Sequence, residues 1–463
     1  MCRWDAWDAR VAPLPETPEG GPPATRTMAD MDAEPRRRGP PGDGAPPRAR
    51  AEQLDRRDAL AAHREAFVLD DAPRIYLDGN SLGRLPRRTR ERLAAAVQED
   101  WGRHLIASWG RGWVDAPRRI GERLAPLIGA APGQVVVSDS TTVNLFKLAG
   151  AVLAARPERP KLVSDATNFP SDLYTLQSNV RGAHERARLQ VVPAGADGLA
   201  PDVEALTAAI DEATALVVLS HVSFKSGYLY DAEAVAARAR AVGAWVLWDL
   251  SHSVGVVPIE LDAWGAELAV GCTYKYLNGG PGAPAFLYVR RDLHERLRSP
   301  VEGWFGRRAP FGFDLAYEPA EGVGRFLVGT PPVLSMLAIE AGLEPLEEAG
   351  LEAVRAKSVA LTGLLVELFD ARLAPLGFTL GTPRDPDRRG SHVSLRHPDG
   401  YRINSALIDA GVVPDFREPD TIRFGLAPLY TRFVDVWDAV ERLVAIVESG
   451  AYRAYDDARA PVT

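Results

Sequence analysis

Between residues 134 and 289 seven short apolar runs alternate with longer stretches of helical periodicity. The runs cover 134–137, 161–164, 189–192, 215–219, 245–250, 268–273 and 285–289. Segments that are apolar throughout, and not only at every second residue, suit strands buried on both faces. Alternation with helices then predicts a mostly parallel, doubly wound α/β sheet. A helix is expected to begin near Thr142, and another at 231–242 with Asp231 as its N-cap. Residues 336–373 read as helical with a break at Gly350. Short strands at 378–380, 392–395 and 421–424, and a closing helix over 433–448, predict a smaller C-terminal α/β domain.

Composition excludes several classes. A net charge of -8 and a pI near 5.6 give no general attraction to nucleic acid or anionic membranes. Two cysteines, Cys2 and Cys272, cannot build a metal cluster or a disulfide framework, so no metal site is expected. No run approaches 18 apolar residues, and the expected location is the cytoplasm. Residues 1–50 hold ten of the 37 prolines and the run Arg36-Arg37-Arg38. Such a stretch buries too little apolar surface to offset its ordering entropy, and is expected to be a disordered tail.

Only five of the 54 basic residues are lysines: Lys147, Lys161, Lys225, Lys275 and Lys357. A chain that uses arginine for most positive charge keeps lysine where guanidinium cannot serve, and Schiff-base formation is one such task. Lys275 follows the apolar run 268–273 and precedes Gly279-Gly280, which places it at the carboxyl end of a buried strand, where ligands bind in open α/β sheets. Three further stretches supply complementary chemistry. Ser138-Asp-Ser-Thr-Thr142 leads from a strand into a helix, an arrangement suited to anions. Asn168-Phe-Pro-Ser-Asp172 sets an aromatic face beside a carboxylate. Trp248-Asp249 puts an acid at the end of a buried strand, where it calls for a cationic partner. Amine, anion site, carboxylate and flat aromatic group together match pyridoxal 5'-phosphate, with Lys275, Thr142, Asp249 and Phe169 in those roles.

The strings Asp78-Gly-Asn-Ser-Leu-Gly83, Asp139-Ser-Thr-Thr-Val-Asn144, Asn168-Phe-Pro-Ser-Asp172, His221-Val-Ser-Phe-Lys-Ser-Gly227, Trp248-Asp-Leu-Ser-His252, Thr273-Tyr-Lys-Tyr-Leu-Asn-Gly-Gly280 and Gly390-Ser-His-Val-Ser394 occur in that order. Together they resemble the kynureninase family, over about residues 55–450. The resemblance implies a homodimer of the fold-type I class of pyridoxal phosphate enzymes that cleaves L-kynurenine with water to anthranilate and L-alanine. It implies a large cofactor-binding domain at 131–335, a small domain at 336–463, and a segment 51–130 shared between the small domain and the dimer interface. Lys275 is implied as the Schiff-base lysine, and Tyr274 as phosphate ligand and acid/base. Thr141, Thr142, Phe169, Pro170, Ser171, Asp172, Ser220, Asp249 and His252 are implied as the cofactor shell, with Trp304 and Thr330 completing it across the dimer. Arg423, with Asn80 and Ser81, is implied to bind substrate. Some animal members carry asparagine where Thr330 stands, which favours kynurenine over its 3-hydroxy form here.

Two other readings follow from the residues. A cysteine desulfurase needs a mobile nucleophilic cysteine, and Cys272 falls within a predicted strand. An inactive protein on the same fold would have lost chemical residues that this chain retains. Arg423 also has a structural alternative, an ion pair with Asp415 or Asp420.

Overall fold

The computed structural model describes residues 46–69, 74–196 and 198–458. Strand β1 (Ile75–Tyr76) leads into the Asp78–Gly83 turn. The large sheet follows, built from β2 (Val135–Val137), β3 (Lys161–Asp165), β4 (Arg188–Val192), β5 (Thr214–Ser220), β6 (Trp245–Asp249), β7 (Leu268–Gly271) and β8 (Phe286–Val289). Each falls on one of the seven predicted runs. Their spatial order is β2-β8-β7-β6-β5-β3-β4, and β8 alone runs against its neighbours. Strands β3, β5, β6 and β7 are buried along their whole length, because helices cover both faces, and this is why they read as unbroken apolar runs. Edge strand β4 exposes Arg188 and Gln190, polar groups that discourage further pairing.

From β3 the chain steps outward to β4, then crosses back to β5 and on through β6 and β7. The order therefore reverses between β3 and β5, which opens a crevice at the carboxyl ends of these strands. Helix starts point into that region. Ser140 caps helix Thr141–Ala155 by accepting from the Val143 N–H at 3.3 Å. Asp231 caps Ala232–Ala241 as expected, accepting from Ala234 N–H at 3.0 Å.

The smaller unit contains β9 (Thr379–Leu380), β10 (His392–Arg396), β11 (Val412–Val413), β12 (Asp415–Arg417) and β13 (Thr421–Gly425). Four of these form an antiparallel sheet in the order β12-β13-β10-β9, while β11 pairs in parallel with β1. Ala51, Ile75 and Leu77 share a core with Leu361, Phe424 and Val440, so the amino-terminal segment packs with the carboxyl-terminal sheet. Helices Val333–Ala349 and Leu351–Leu368 meet at Gly350, whose φ of 76° explains the expected break. Strands β11 and β12 were not expected. Pro414 separates them, and the charges of Asp415 and Arg417 break the apolar signal.

Alternation sorts the residues of this sheet. Phe416, Ile422 and Phe424 enter the core, so Asp415, Arg417 and Arg423 share the opposite face. The expected tail lies outside the described residues except for 46–50, where Arg48–Arg50 already open helix Arg48–Arg56. Among the described residues, no helix is long and apolar enough to cross a membrane.

Candidate active site

A cavity of about 480 Å³ at the carboxyl ends of the central strands is lined by residues that include Thr142, Phe169, Asp172, Asp249, His252 and Lys275. Lys275 sits in the bend after β7, and the Asp78–Gly83 turn packs against it. The Gly83 N–H donates to the Tyr274 carbonyl at 2.8 Å. A Cβ at position 83 would stand 2.4 Å from the Lys275 carbonyl oxygen, so only glycine fits. Lys275 Nζ lies 3.0 Å from His252 Nε2. Burial lowers the pKa of the amine, against the opposing pull of Cys272 and Asp249. A part-buried amine that sheds its proton readily is what Schiff-base formation requires. His252 is held well below its ordinary range, by burial first and then by Lys275; it is neutral at pH 7.

Asp249 ends β6, and its Oδ1 accepts from the Ser251 N–H at 2.9 Å and the Ser251 hydroxyl at 2.6 Å. Asp172 lies in the first turn of helix Pro170–Gly182. Burial pushes up both carboxyls, and the Asp249 charge pushes Asp172 further. Asp172 Oδ2 is buried without a hydrogen-bond partner. Two neighbouring carboxyls with an unpartnered oxygen accommodate a cationic N–H donor, and a protonated pyridine nitrogen fits that description.

The anion end fits as well. Helix Thr141–Ala155 begins at the cavity wall, and Thr142 Oγ1 stands 3.1 Å from Ser171 Oγ. Free amides and hydroxyls at a helix start suit a phosphate. Asp139 also lines the cavity, but Lys147 Nζ donates to its carboxylate at 2.6 Å and Ser138 Oγ at 2.8 Å. Lys147 is fully buried and so keeps this carboxylate neutralised behind the loop. Phe169 is 40% exposed at the cavity, with its ring edge-on to Phe224 at 5.2 Å. The phenol of Tyr274 is raised by the neighbouring Cys272 thiol and by burial, so it stays protonated at neutral pH and is suited to donate a proton.

The other expected residues differ in how they stand to the cavity. Ser220 is buried and donates to Asn168 Oδ1 at 2.6 Å, and the same oxygen receives the Phe169 N–H at 2.8 Å. Its influence on the site therefore passes through Asn168. Pro170 opens its helix, where its ring presets φ. Thr141 lines the cavity. Trp304 packs on Phe305 and Phe311 at 4.9 and 5.6 Å, and Thr330 is exposed; neither lines the cavity. Asn80 is fully buried, and neither of its side-chain polar atoms has a hydrogen-bond partner.

Arg423 is 1% exposed. It grips Asp415 with Nε at 2.7 Å and with Nη2, and donates from Nη1 to the Phe224 carbonyl. Ser81 Oγ donates to Asp415 Oδ2 at 2.9 Å and accepts from Arg423 Nη2 at 3.2 Å. The structural pairing considered from the sequence is thus present, with Asp415; Asp420 pairs with Arg396 instead. Sequence reasoning missed Arg417, whose Nη2 lies 2.7 Å from Asp415 Oδ2. The signal available was the charged pair Asp415 and Arg417 at strand spacing around an apolar Phe416.

The family model for the kynureninase C-terminal domain matches residues 354–443. A kynureninase of Burkholderia pseudomallei is 46% identical over 422 residues, 90% of this chain and 99% of that protein. One of Pseudomonas fluorescens is 45% identical over 400 residues, covering 85% and 94%. Among solved structures, a cysteine desulfurase of Thermococcus onnurineus superposes with a TM-score of 0.69 at 19% identity, over 86% of this chain and 98% of that one. The Escherichia coli desulfurase CsdA does so at 0.71 and 18%, over 84% and 98%. At such identity these two describe the fold, which is that of fold-type I pyridoxal phosphate enzymes. Identity near one half along almost the whole chain is decisive for the family: this chain belongs to the kynureninases.

Proposed function

We propose that the cavity holds pyridoxal 5'-phosphate on Lys275 and that the residues around it carry out the family's reaction, cleavage of L-kynurenine with water to anthranilate and L-alanine. The observation that carries this reading is the conjunction, in one cavity, of a part-buried amine beside a neutral histidine and a carboxyl pair with an unpartnered oxygen. When bound, the cofactor supplies an aldehyde that condenses with amines and a ring that withdraws electrons from the bonds being broken. Asp249 and Asp172 hold its pyridine N–H. Thr141, Thr142, Ser171 and the helix start hold its phosphate, and Phe169 covers its ring.

Lys275 Nζ would hold the cofactor's aldehyde carbon and, when free, would take the proton of the substrate α-carbon. Neutral His252, 3.0 Å away, orients that nitrogen. Tyr274, kept in its phenol form, donates a proton as the bond between the β and γ carbons breaks. Arg423 and Ser81 face the substrate carboxylate, with Asn80 beside them. The exposed side chains of Trp101, Ile106, Phe311 and Phe313 support a homodimer in which Trp304 and Thr330 complete the neighbouring site. Thr330 supports plain kynurenine as the preferred substrate, and the composition supports a cytoplasmic enzyme.

Cys272 is buried, and its N–H donates to Ser251 Oγ at 3.1 Å, a placement that does not suit the mobile nucleophile of a desulfurase. Mixing the purified protein and pyridoxal phosphate with L-kynurenine is expected to produce anthranilate fluorescence together with L-alanine. Release of sulfur from L-cysteine with no anthranilate from kynurenine would support the other reading.

A further inference from the structure

We infer that a second cavity, between helices Val203–Ala209 and Ala232–Ala241, is a binding site for a small aromatic carboxylate. It encloses about 370 Å³, within the range of small-molecule sites, about 300–1,000 Å³. It shares no lining residue with the cavity around Lys275.

Most of its wall is apolar, supplied by Val203, Leu206, Ile210 and Val235. Tyr228 and Tyr230 also line it, their rings edge-on at 5.2 Å. The Tyr230 hydroxyl is committed to Asp165. Tyr228 is half-buried, and among the described residues its hydroxyl makes no hydrogen bond. Aromatic pairs gain more than their buried area alone gives, so walls carrying two tyrosines suit a ligand with a ring.

Three charged side chains line the same cavity: Arg238, Arg388 and Asp231. Arg238 donates to the carbonyls of Thr207 and Ile210 at 3.2 and 2.6 Å. Asp231 is held by its capping bond to the Ala234 N–H. Arg388 is different. Its Nη2 stands 3.8 Å from Asp231 Oδ2, beyond hydrogen-bond reach, and an ion pair so exposed contributes little. Among the described residues, its guanidinium makes no hydrogen bond. An open planar fork beside an apolar wall is suited to a carboxylate held in bidentate fashion. Two arginines against one aspartate also leave the lining net positive.

Backbone contacts fix this arrangement. The Leu229 N–H donates to the Arg388 carbonyl at 2.9 Å, and Tyr228 and Arg389 form an antiparallel bridge. Val222 and Leu229 pair in turn, so Tyr228 stands at the base of a hairpin whose Phe224 meets Phe169 and accepts from Arg423. One short segment thus joins the two cavities.

Isothermal titration of the full-length, cofactor-loaded enzyme with benzoate, acetate and benzyl alcohol tests the inference. Benzoate carries ring and charge, acetate lacks the ring, and benzyl alcohol lacks the charge. Arg388→Gln is expected to weaken benzoate by about fivefold or more and benzyl alcohol by less than about twofold. Ala234→Phe, which adds a ring at the cavity wall, is expected to weaken benzoate at least as much. Both positions are exposed, so neither change enters the core. Tighter binding of benzoate than of either control, lost in both variants, supports the site. Unchanged benzoate binding in both variants overturns it, because the ligand then sits elsewhere, the active site included. Absence of saturable benzoate binding overturns it too. Loss in Ala234→Phe alone contradicts the assignment of a carboxylate to Arg388, and loss in Arg388→Gln alone shows an anion held outside the cavity.

Discussion

Two regions of the molecule treat charge in opposite ways. Beside Lys275, Asp172 Oδ2 is buried and accepts no hydrogen bond, and the neighbour of the amine is a neutral imidazole. On the β12–β13 face, Arg423, Asp415 and Ser81 satisfy one another. A buried polar group without a partner is costly, so the first region is built around something that binds there. The second is stable by itself. The unpartnered Asp172 oxygen therefore points to what is bound, and the satisfied cluster to what is positioned.

The largest effect that can break this contrast is expected from Lys275→Ala. Turnover of kynurenine should fall by roughly three orders of magnitude or more, with the fold intact by circular dichroism, because no other group replaces the amine. Asp249→Asn comes next. Loss of one carboxylate from the pair should lower turnover by about 100-fold and weaken cofactor retention on dialysis, without lowering Tm, because it relieves repulsion with Asp172. A lower Tm with normal turnover would place Asp249 among structural residues. In the other region, Arg423→Ala should lower kcat/KM by about 30-fold and also lower Tm, because Asp415 is left buried with a weaker partner.

The smallest effect concerns Asp78. Its carboxyl is raised from the ordinary range to about 7, chiefly by burial and then by Asp415. A raised carboxyl contributes stability that is fully present below its unfolded pKa and is lost as pH rises through the folded value. Asp78→Asn should therefore raise Tm relative to wild type more at pH 8 than at pH 5, by the equivalent of about 1 kcal/mol. An equal difference at both pH values would show that Asp78 does not titrate in that window.

The large sheet was legible because its strands are buried on both faces and leave unbroken apolar runs. The small sheet was legible only in part, since β12 carries Asp415 and Arg417 on a polar face that is satisfied by partners distant in sequence. The scarcity of lysine is an unspecific signal. Lys147, Lys161 and Lys357 are buried, and each pairs with a carboxylate at 2.6 Å. Among the described residues, Lys275 differs in lying beside a neutral histidine and in forming no such ion pair. That distinction depends on three-dimensional neighbours and could not be read from spacing. Trp304 and Thr330 were named by resemblance, and both stand outside the cavity.

The account depends most on the identity of the lysine that carries the cofactor. Reduction of the pyridoxal phosphate-loaded protein with borohydride, followed by peptide mapping, reads this directly. The expected result is a single phosphopyridoxyl group on the peptide containing Lys275, absent from Lys275→Ala. Modification of Lys225 or Lys147 in its place, or loading that survives Lys275→Ala, would contradict the assignment of the site.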